Sequence, residues 1–385
     1  MRVLILTTSL SGGGAEFVAR TWASWLGARG HDVRVLTTSG CTARTLEGGA
    51  RARALEGRGH LGAVRALRAE LTRESADVVL ALQSYPNLVA IAALGARRSR
   101  PALIVSERNI TTREHEPVGL GERLKMWLAR RLYHRADLGI AVSHPVAAQL
   151  VSAFGMRGGQ VVVVPNPSAH SAEVRAAEVR GAEVRGSEMR RAEAPGADAP
   201  RTEVREADGI PLHLVLPLRL VPQKRVELAV TAAALLRAGG ADARLLCFGQ
   251  GPGRPALEAS AHAAAVPLSL RGWVEDWVAE TPPGSIVVLP SYREGFGNVL
   301  VEAALGGIPS VAISNSYGVA DALVPSITGE LALTGTPEAV AAAVLRARSS
   351  SMRHVSGWAQ RFSTDESGRL LVASLHKAIA RRDRA

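Results

Sequence analysis

The chain has 385 residues, 47% of them hydrophobic, which is enough for two α/β domains, since single domains run to about 100–200 residues. Its formal charge of +11 comes from 46 basic against 35 acidic residues, yet lysine is confined to Lys125, Lys224 and Lys377 and aromatic residues make up only 4%, so the basicity reads as arginine-rich composition and argues against a nucleic-acid partner. Two cysteines, Cys41 and Cys247, cannot build a disulfide framework and have no metal-ligand spacing to neighbours, so the expected setting is a reducing cytoplasm with no metal site.

In chain order, MRVLILTTSL lacks a small-residue cleavage site and reads as a first strand rather than a leader. β-Branched runs at Val3 to Thr7, Asp32 to Leu36, Asp77 to Leu82, Ala102 to Val105, Leu138 to Val142 and Gln160 to Val164 alternate with Ala- and Leu-rich helical patterns. The most apolar window, Val78 to Leu94, carries Gln83, Ser84, Pro86 and Asn87, which are costly in a bilayer, so no transmembrane helix is expected. KMWLARRLYHR at 125–135 reads either as an amphipathic helix with a solvated arginine face or as a basic patch for peripheral membrane contact. Residues 171–208 then place Glu173, Glu178, Glu183, Glu188 and Glu193 at intervals of five, a period that builds no apolar face on a helix or strand; a solvated, mostly disordered insert is expected. Beyond it, Leu212 to Leu216, Ala243 to Phe248, Leu268 to Leu270, Ser285 to Leu289 and Ser310 to Ile313 repeat the strand and helix alternation.

Short buried strands alternating with helices predict two doubly wound parallel-sheet domains, over 1–168 and 211–360, joined by the 169–210 insert, with a final helix over 361–385 packing back on the first domain. Function is expected in a cleft at the carboxyl ends of the strands. The charge divides as +10 over 1–170, −2 over 171–208 and +3 over 209–385.

Two local patterns carry chemistry. In SYREGFGNVLVEAALGGIPSVA, 291–312, a strand runs into a helix through Gly295 and Gly297, a turn that points backbone N–H groups and the positive helix end at an anion. Glu294 and Glu302 flank it, and carboxylates accept hydrogen bonds from paired hydroxyls, so the pattern suits a nucleotide sugar; the plainer reading is that Glu302 solvates an exposed helix face. In LPLRLVPQKRVELAV, 216–230, Arg219 and Lys224 sit between a strand and a helix, as diphosphate-neutralising cations or as ordinary surface charges. Near the start, GGG at 12–14 does not complete G-x-G-x-x-G and no acidic residue ends the second strand, so a dinucleotide fold is not indicated.

These segments resemble retaining glycosyltransferases of the GT-B fold, family 4. Glu294 to Glu302 is similar to that family's E-x7-E motif, and Arg219 with Lys224 to its Arg-Leu-x-x-x-Lys clamp. FGQGPGRPALE at 248–258, GWVED at 272–276 and GVADALVPSITGELA at 318–332 resemble three further family segments, so the resemblance runs through most of 212–340. In the first half the glycine loop and helix at 9–37, AVSHPVAAQL at 141–150 and VVVVPNP at 161–167 are similar to family segments. Leu218 departs from the glycine usual before the clamp arginine, Ala320 and Asp321 replace the usual Pro-Glu, and IVSERN at 104–109 stands where many relatives carry a histidine.

The resemblance implies an α/β GT-B fold, two Rossmann-like domains facing each other across a cleft, and an enzyme that takes a nucleotide sugar, with UDP the expected carrier, as co-substrate. Arg219, Lys224 and Glu294 are its implied catalytic residues; Gly13, Gly14, Gly249, Trp273, Val274, Gly295, Phe296, Gly297, Asn298, Val299 and Glu302 join them in binding the donor. On the acceptor side Glu16, Glu107, Arg108, His115 and His144 are candidates, although a lone histidine is more often structural. No cofactor or metal is implied, and no Asp-x-Asp motif is present to bind one. The expected acceptor is a small polar natural product such as an aminocyclitol; a lipid-linked or cell-surface glycan, or sugar-nucleotide binding without catalysis, are the alternatives.

Overall fold

The computed structural model describes residues 1–57, 59–95, 100–111, 119–168 and 211–384. The repeat segment at 171–208 and His115 lie outside these residues. The chain divides into two compact units, Met1–Pro167 with Arg361–Ala385, and Ser168–Gln360.

The first unit runs β1 (Arg2–Thr7), α1 (Gly14–Gly27), β2 (Asp32–Thr37), β3 (Arg44–Thr45), β4 (Arg51–Ala54), α2 (Gly59–Arg73), β5 (Val78–Leu82), α3 (Ser84–Leu94), β6 (Ala102–Glu107), α4 (Leu120–Leu132), β7 (Leu138–Ala141), α5 (His144–Ser152) and β8 (Val161–Val163). Its sheet has the order β3-β4-β2-β1-β5-β6-β7-β8, and every pairing is parallel except β3 with β4. The inner strands are apolar through most of their length because helices cover both faces; all five residues of β5 are apolar and buried. Helix α1 turns Val18, Ala19, Trp22, Ala23 and Leu26 onto that sheet.

The second unit runs β9 (Leu212–Leu216), α6 (Val226–Ala238), β10 (Ala243–Cys247), α7 (Arg254–Ala263), β11 (Leu268–Leu270), β12 (Ile286–Leu289), α8 (Asn298–Leu305), β13 (Ser310–Ile313), β14 (Gly329–Ala332), α9 (Pro337–Ala347) and α10 (Val355–Ala359). Its sheet is wholly parallel in the order β11-β10-β9-β12-β13-β14. The direction of winding reverses between β9 and β12, so the loops leaving those two strands start side by side at the carboxyl end of the sheet, the position at which doubly wound sheets bind ligands.

A last helix, α11 (Thr364–Arg382), belongs to the first unit. Leu371, Leu375 and Ala378 enter its core beside Trp22 and Leu26. The Trp22 indole donates to Ser367 Oγ at 3.0 Å and the Trp25 indole to Asp365 Oδ1 at 2.7 Å, so the two polar edges of buried aromatics fix the seat of the helix. The apolar window at 78–94 is a strand followed by a short helix, and among the described residues no helix is long and apolar enough to cross a membrane.

Candidate functional site

The loop from β9 to α6 and the loop from β12 to α8 leave the sheet at its reversal point, and three consecutive residues of the first are tied to the second. Gln223 O accepts from Tyr292 N at 3.0 Å and Gln223 Nε2 donates to Arg293 O at 2.9 Å. Lys224 Nζ donates to Glu294 Oε1 at 2.5 Å. The Arg225 guanidinium lies 4.4 Å over the Tyr292 ring and donates to Gly335 O at 2.9 Å, from a residue held in the left-handed conformation with φ 48°. The arrangement latches two loops that are 70 residues apart in sequence and sets a cation against a carboxylate at their centre.

Glu294 is itself held from behind. Its N–H donates to Ser316 O and its carbonyl accepts from Gly318 N, both at 3.2 Å. A Cβ on Gly318 would stand 2.2 Å from that carbonyl, so this close approach requires glycine. Gly297, with φ +94°, is the residue before α8 and reverses the chain so that the first N–H groups of the helix face the loop. Arg219 is exposed on the loop after β9, between the buried Leu218 and Leu220. Gly249 lies under that loop: a Cβ there would fall 1.8 Å from Leu218 O, and Leu220 N donates to Gln250 O at 2.9 Å. Gly249 thus packs the loop after β9 against the neighbouring strand end.

The rest of the expected donor set is distributed differently. Glu302, half-buried on α8, accepts from the Trp277 indole at 2.9 Å, which aims its carboxylate and gives it a partner the sequence had not indicated. Phe296 is 4% exposed, so its ring belongs to the interior; Gly295 beside it is buried too, and the half-buried Asn298 opens α8. Val274 and Val299 pack onto the cluster of Val215, Phe248, Trp277 and Val287, which leaves only part of each surface for a ligand. Trp273 is 71% exposed and offers its ring to solvent. Cys247, buried at the end of β10, has its thiol pushed up to about 11 by burial and is no thiolate nucleophile near neutral pH.

In the first unit the sheet reverses between β1 and β5. Gly13 and Gly14 are exposed after β1, and Glu16, in the first turn of α1, accepts from Gln83 Nε2 at 3.3 Å. Gln83, with φ 80°, also accepts from Thr8 N at 3.3 Å, so this residue connects the glycine loop to the end of β5. Glu107 lies inside: it is 2% exposed, and Tyr133, Asn87 and Ser84 donate to its oxygens at 2.5, 3.3 and 3.3 Å. Burial holds its carboxyl above the ordinary range, and a carboxylate so enclosed orders the β6 end rather than facing a ligand. Arg108 stacks over Trp22 at 4.3 Å and donates to Asn166 Oδ1 at 2.8 Å; burial brings its guanidinium down to about 9. His144 is exposed at the first turn of α5.

The family model described as Glycosyltransferase Family 4 matches residues 12–168, and that described as Glycosyl transferases group 1 matches residues 212–350. A GDP-mannose-dependent alpha-(1-6)-phosphatidylinositol dimannoside mannosyltransferase of Mycobacterium tuberculosis is 31% identical over 141 residues, 35% of this chain and 35% of that protein. An exopolysaccharide phosphotransferase of Streptomyces coelicolor is 32% identical over 136 residues, 34% of this chain and 14% of that protein. The matched regions are thus about a third or less of these relatives. Along the whole chain the fold is shared with sucrose-phosphate synthase from Thermosynechococcus elongatus, at 16% identity, TM-score 0.76 and coverage of 99% of this chain and 100% of that one. It is also shared with HepE from Anabaena solved with UDP-glucose, at 18% identity, TM-score 0.71 and coverage of 98% and 99%. With both halves matched in the expected order and a doubly wound parallel sheet in each unit, the chain belongs to the family 4 glycosyltransferases of GT-B fold.

Proposed function

We propose that the protein transfers a sugar from a nucleoside diphosphate sugar to a hydroxyl of a glycan, with retention at the sugar carbon. The observation that carries this reading is the Lys224–Glu294 contact at the reversal of the second sheet, beside the start of α8. A cation able to neutralise phosphate beside a carboxylate able to accept from hydroxyls suits the two ends of a diphosphate–sugar linkage, and this supports the reading. Arg219, Lys224 and the first N–H groups of α8 stabilise charge on the departing diphosphate. Glu294 holds sugar hydroxyls, and Glu302, aimed by Trp277, holds the ribose hydroxyls. The acceptor hydroxyl forms its bond to the sugar carbon from the side the diphosphate leaves, as the bond to phosphate oxygen breaks, and its proton passes to the diphosphate.

UDP is the expected carrier on family resemblance, and a solved protein of the same fold carries UDP-glucose. A GDP-linked donor is the second reading, favoured by the name of the mannosyltransferase relative. That same name, and that of the exopolysaccharide relative, favour a glycan acceptor over the small natural product expected from composition. Thermal shift against a panel of UDP- and GDP-sugars, followed by transfer assays with the stabilising donor, tests the proposal. Stabilisation by one donor with turnover supports it; stabilisation without turnover leaves a binding protein, and no response to any diphosphate sugar overturns it.

A further inference from the structure

Helix α4 is built the wrong way round for a core helix. Leu120, Leu124 and Trp127 follow one another at i, i+4 and i+7, the spacing that normally faces a protein interior, yet they are 82%, 57% and 53% exposed. Ala129 is the fully buried residue of the helix, and it lies about half a turn of the helical wheel away from that stripe. The inner face therefore rests on the unit through Ala129 and the half-buried Met126, Leu128 and Leu132, while Leu120, Leu124 and Trp127 form a second apolar stripe that points outward. Arg131 continues the stripe one turn on, with its guanidinium 5.6 Å from the Trp127 ring, and Arg123 and Arg130 border one side of it.

The charge of the segment has one sign. Residues 120–135 hold Arg123, Lys125, Arg130, Arg131 and Arg135 against Glu122 alone, and Glu122 is taken by Lys125. We infer that α4 docks the protein on an anionic lipid surface, with Leu120, Leu124 and Trp127 entering the interface and the arginines meeting lipid phosphates. An outward apolar stripe bordered by cations, with an indole at its centre, is the composition of an interfacial helix. A second copy fits the face poorly: two such stripes would bring like charges together, and three side chains supply far less than the roughly 800 Å² per partner of a stable protein interface. The inference concerns this helix alone and does not depend on the donor site.

Flotation of the full chain with vesicles of phosphatidylcholine, or of equal parts phosphatidylcholine and phosphatidylglycerol, tests it. The protein is expected to float with the anionic vesicles only and to be released by salt. Arg130→Gln with Arg131→Gln should lower the partition coefficient about 25-fold, or about fivefold for each cation near an anionic surface. Leu124→Ser with Trp127→Ser should abolish flotation while leaving the melting temperature unchanged, because these side chains are exposed. Failure of the wild type to float on anionic vesicles at low salt, or equal flotation of both variants, would overturn the inference. So would a dimer in sedimentation velocity that the same variants dissociate without any lipid binding.

Discussion

Lys224 Nζ and Glu294 Oε1 stand 2.5 Å apart, and their side chains are only 15% and 11% exposed, so the two charges that would grip a donor neutralise each other in its absence. A donor diphosphate offers Lys224 a second anion and the sugar hydroxyls offer Glu294 a set of donors, so binding exchanges partners without stranding a charge. Removing one partner strands the other, and breaking a buried pair in this way costs up to about 3–5 kcal/mol, less at this partial exposure. Lys224→Met and Glu294→Gln are each expected to abolish transfer and to lower the melting temperature. The double variant should regain most of the lost stability and none of the activity; thermal denaturation beside a transfer assay reads both, and singles as stable as the wild type would contradict it.

In the proposed donor site Trp277 would act through Glu302, which its indole N–H holds. Trp277→Phe keeps the ring in its cluster with Val215 and Phe248 and removes only the indole N–H that reaches Glu302. A hydrogen bond to a charged group contributes about 1.5–3 kcal/mol, so donor affinity measured by calorimetry should fall about tenfold or more. The melting temperature should fall as well, by about 2–4 °C for each kcal/mol of the bond that is lost.

Gly318 is a steric requirement of the site. Gly318→Ala would drive a methyl against the Glu294 carbonyl and should cost most of the activity with a clear drop in melting temperature, since the backbone on both sides has to move. Gly357→Ala is the matched control: nothing lies within 4 Å of its Cβ position inside α10, so the variant should be active and slightly more stable, by about 0.5–1 kcal/mol.

Glu107 gives the first unit a pH signature. Its carboxyl is raised by burial, so the folded state holds the proton to higher pH than the unfolded chain does. Between the ordinary carboxylate value and the raised one the folded state binds more protons, and stability falls as pH rises through that window. Glu107→Gln removes that slope. Melting curves from acid to neutral pH should show the wild type losing its advantage over the variant as pH increases; parallel curves would mean that Glu107 does not titrate there.

Much of the fold is written in the apolar strand runs. Val3 to Thr7, Leu212 to Leu216 and Ser310 to Ile313 are legible because a strand covered on both faces has to be apolar throughout. Strands at or next to a sheet edge carry no such mark: Arg-Ala-Arg-Ala of β4 and Gly-Glu-Leu-Ala of β14 have neither β-branched residues nor full burial, and local patterning passes over them. In the site, Lys224 and Glu294 are legible from the motifs that contain them. Gln223, Arg225, Tyr292 and Trp277 are not, because what makes them matter is a pairing across loops that only the folded chain brings together. Phe296 shows a further limit of local pattern: the motif does not reveal that its ring lies in the interior.

The seat of α11 also sets an order of events during synthesis. Trp22 emerges from the ribosome early, but its partner Ser367 follows 345 residues later. By then the second unit, which ends at Gln360, has all of its strands outside the exit tunnel. The unit begun first is thus the one completed last, and until the final helix arrives the nascent chain carries an uncapped apolar flank beside Trp22 and Leu26. A stalled or prematurely ended message would leave a finished second unit attached to an unfinished first one.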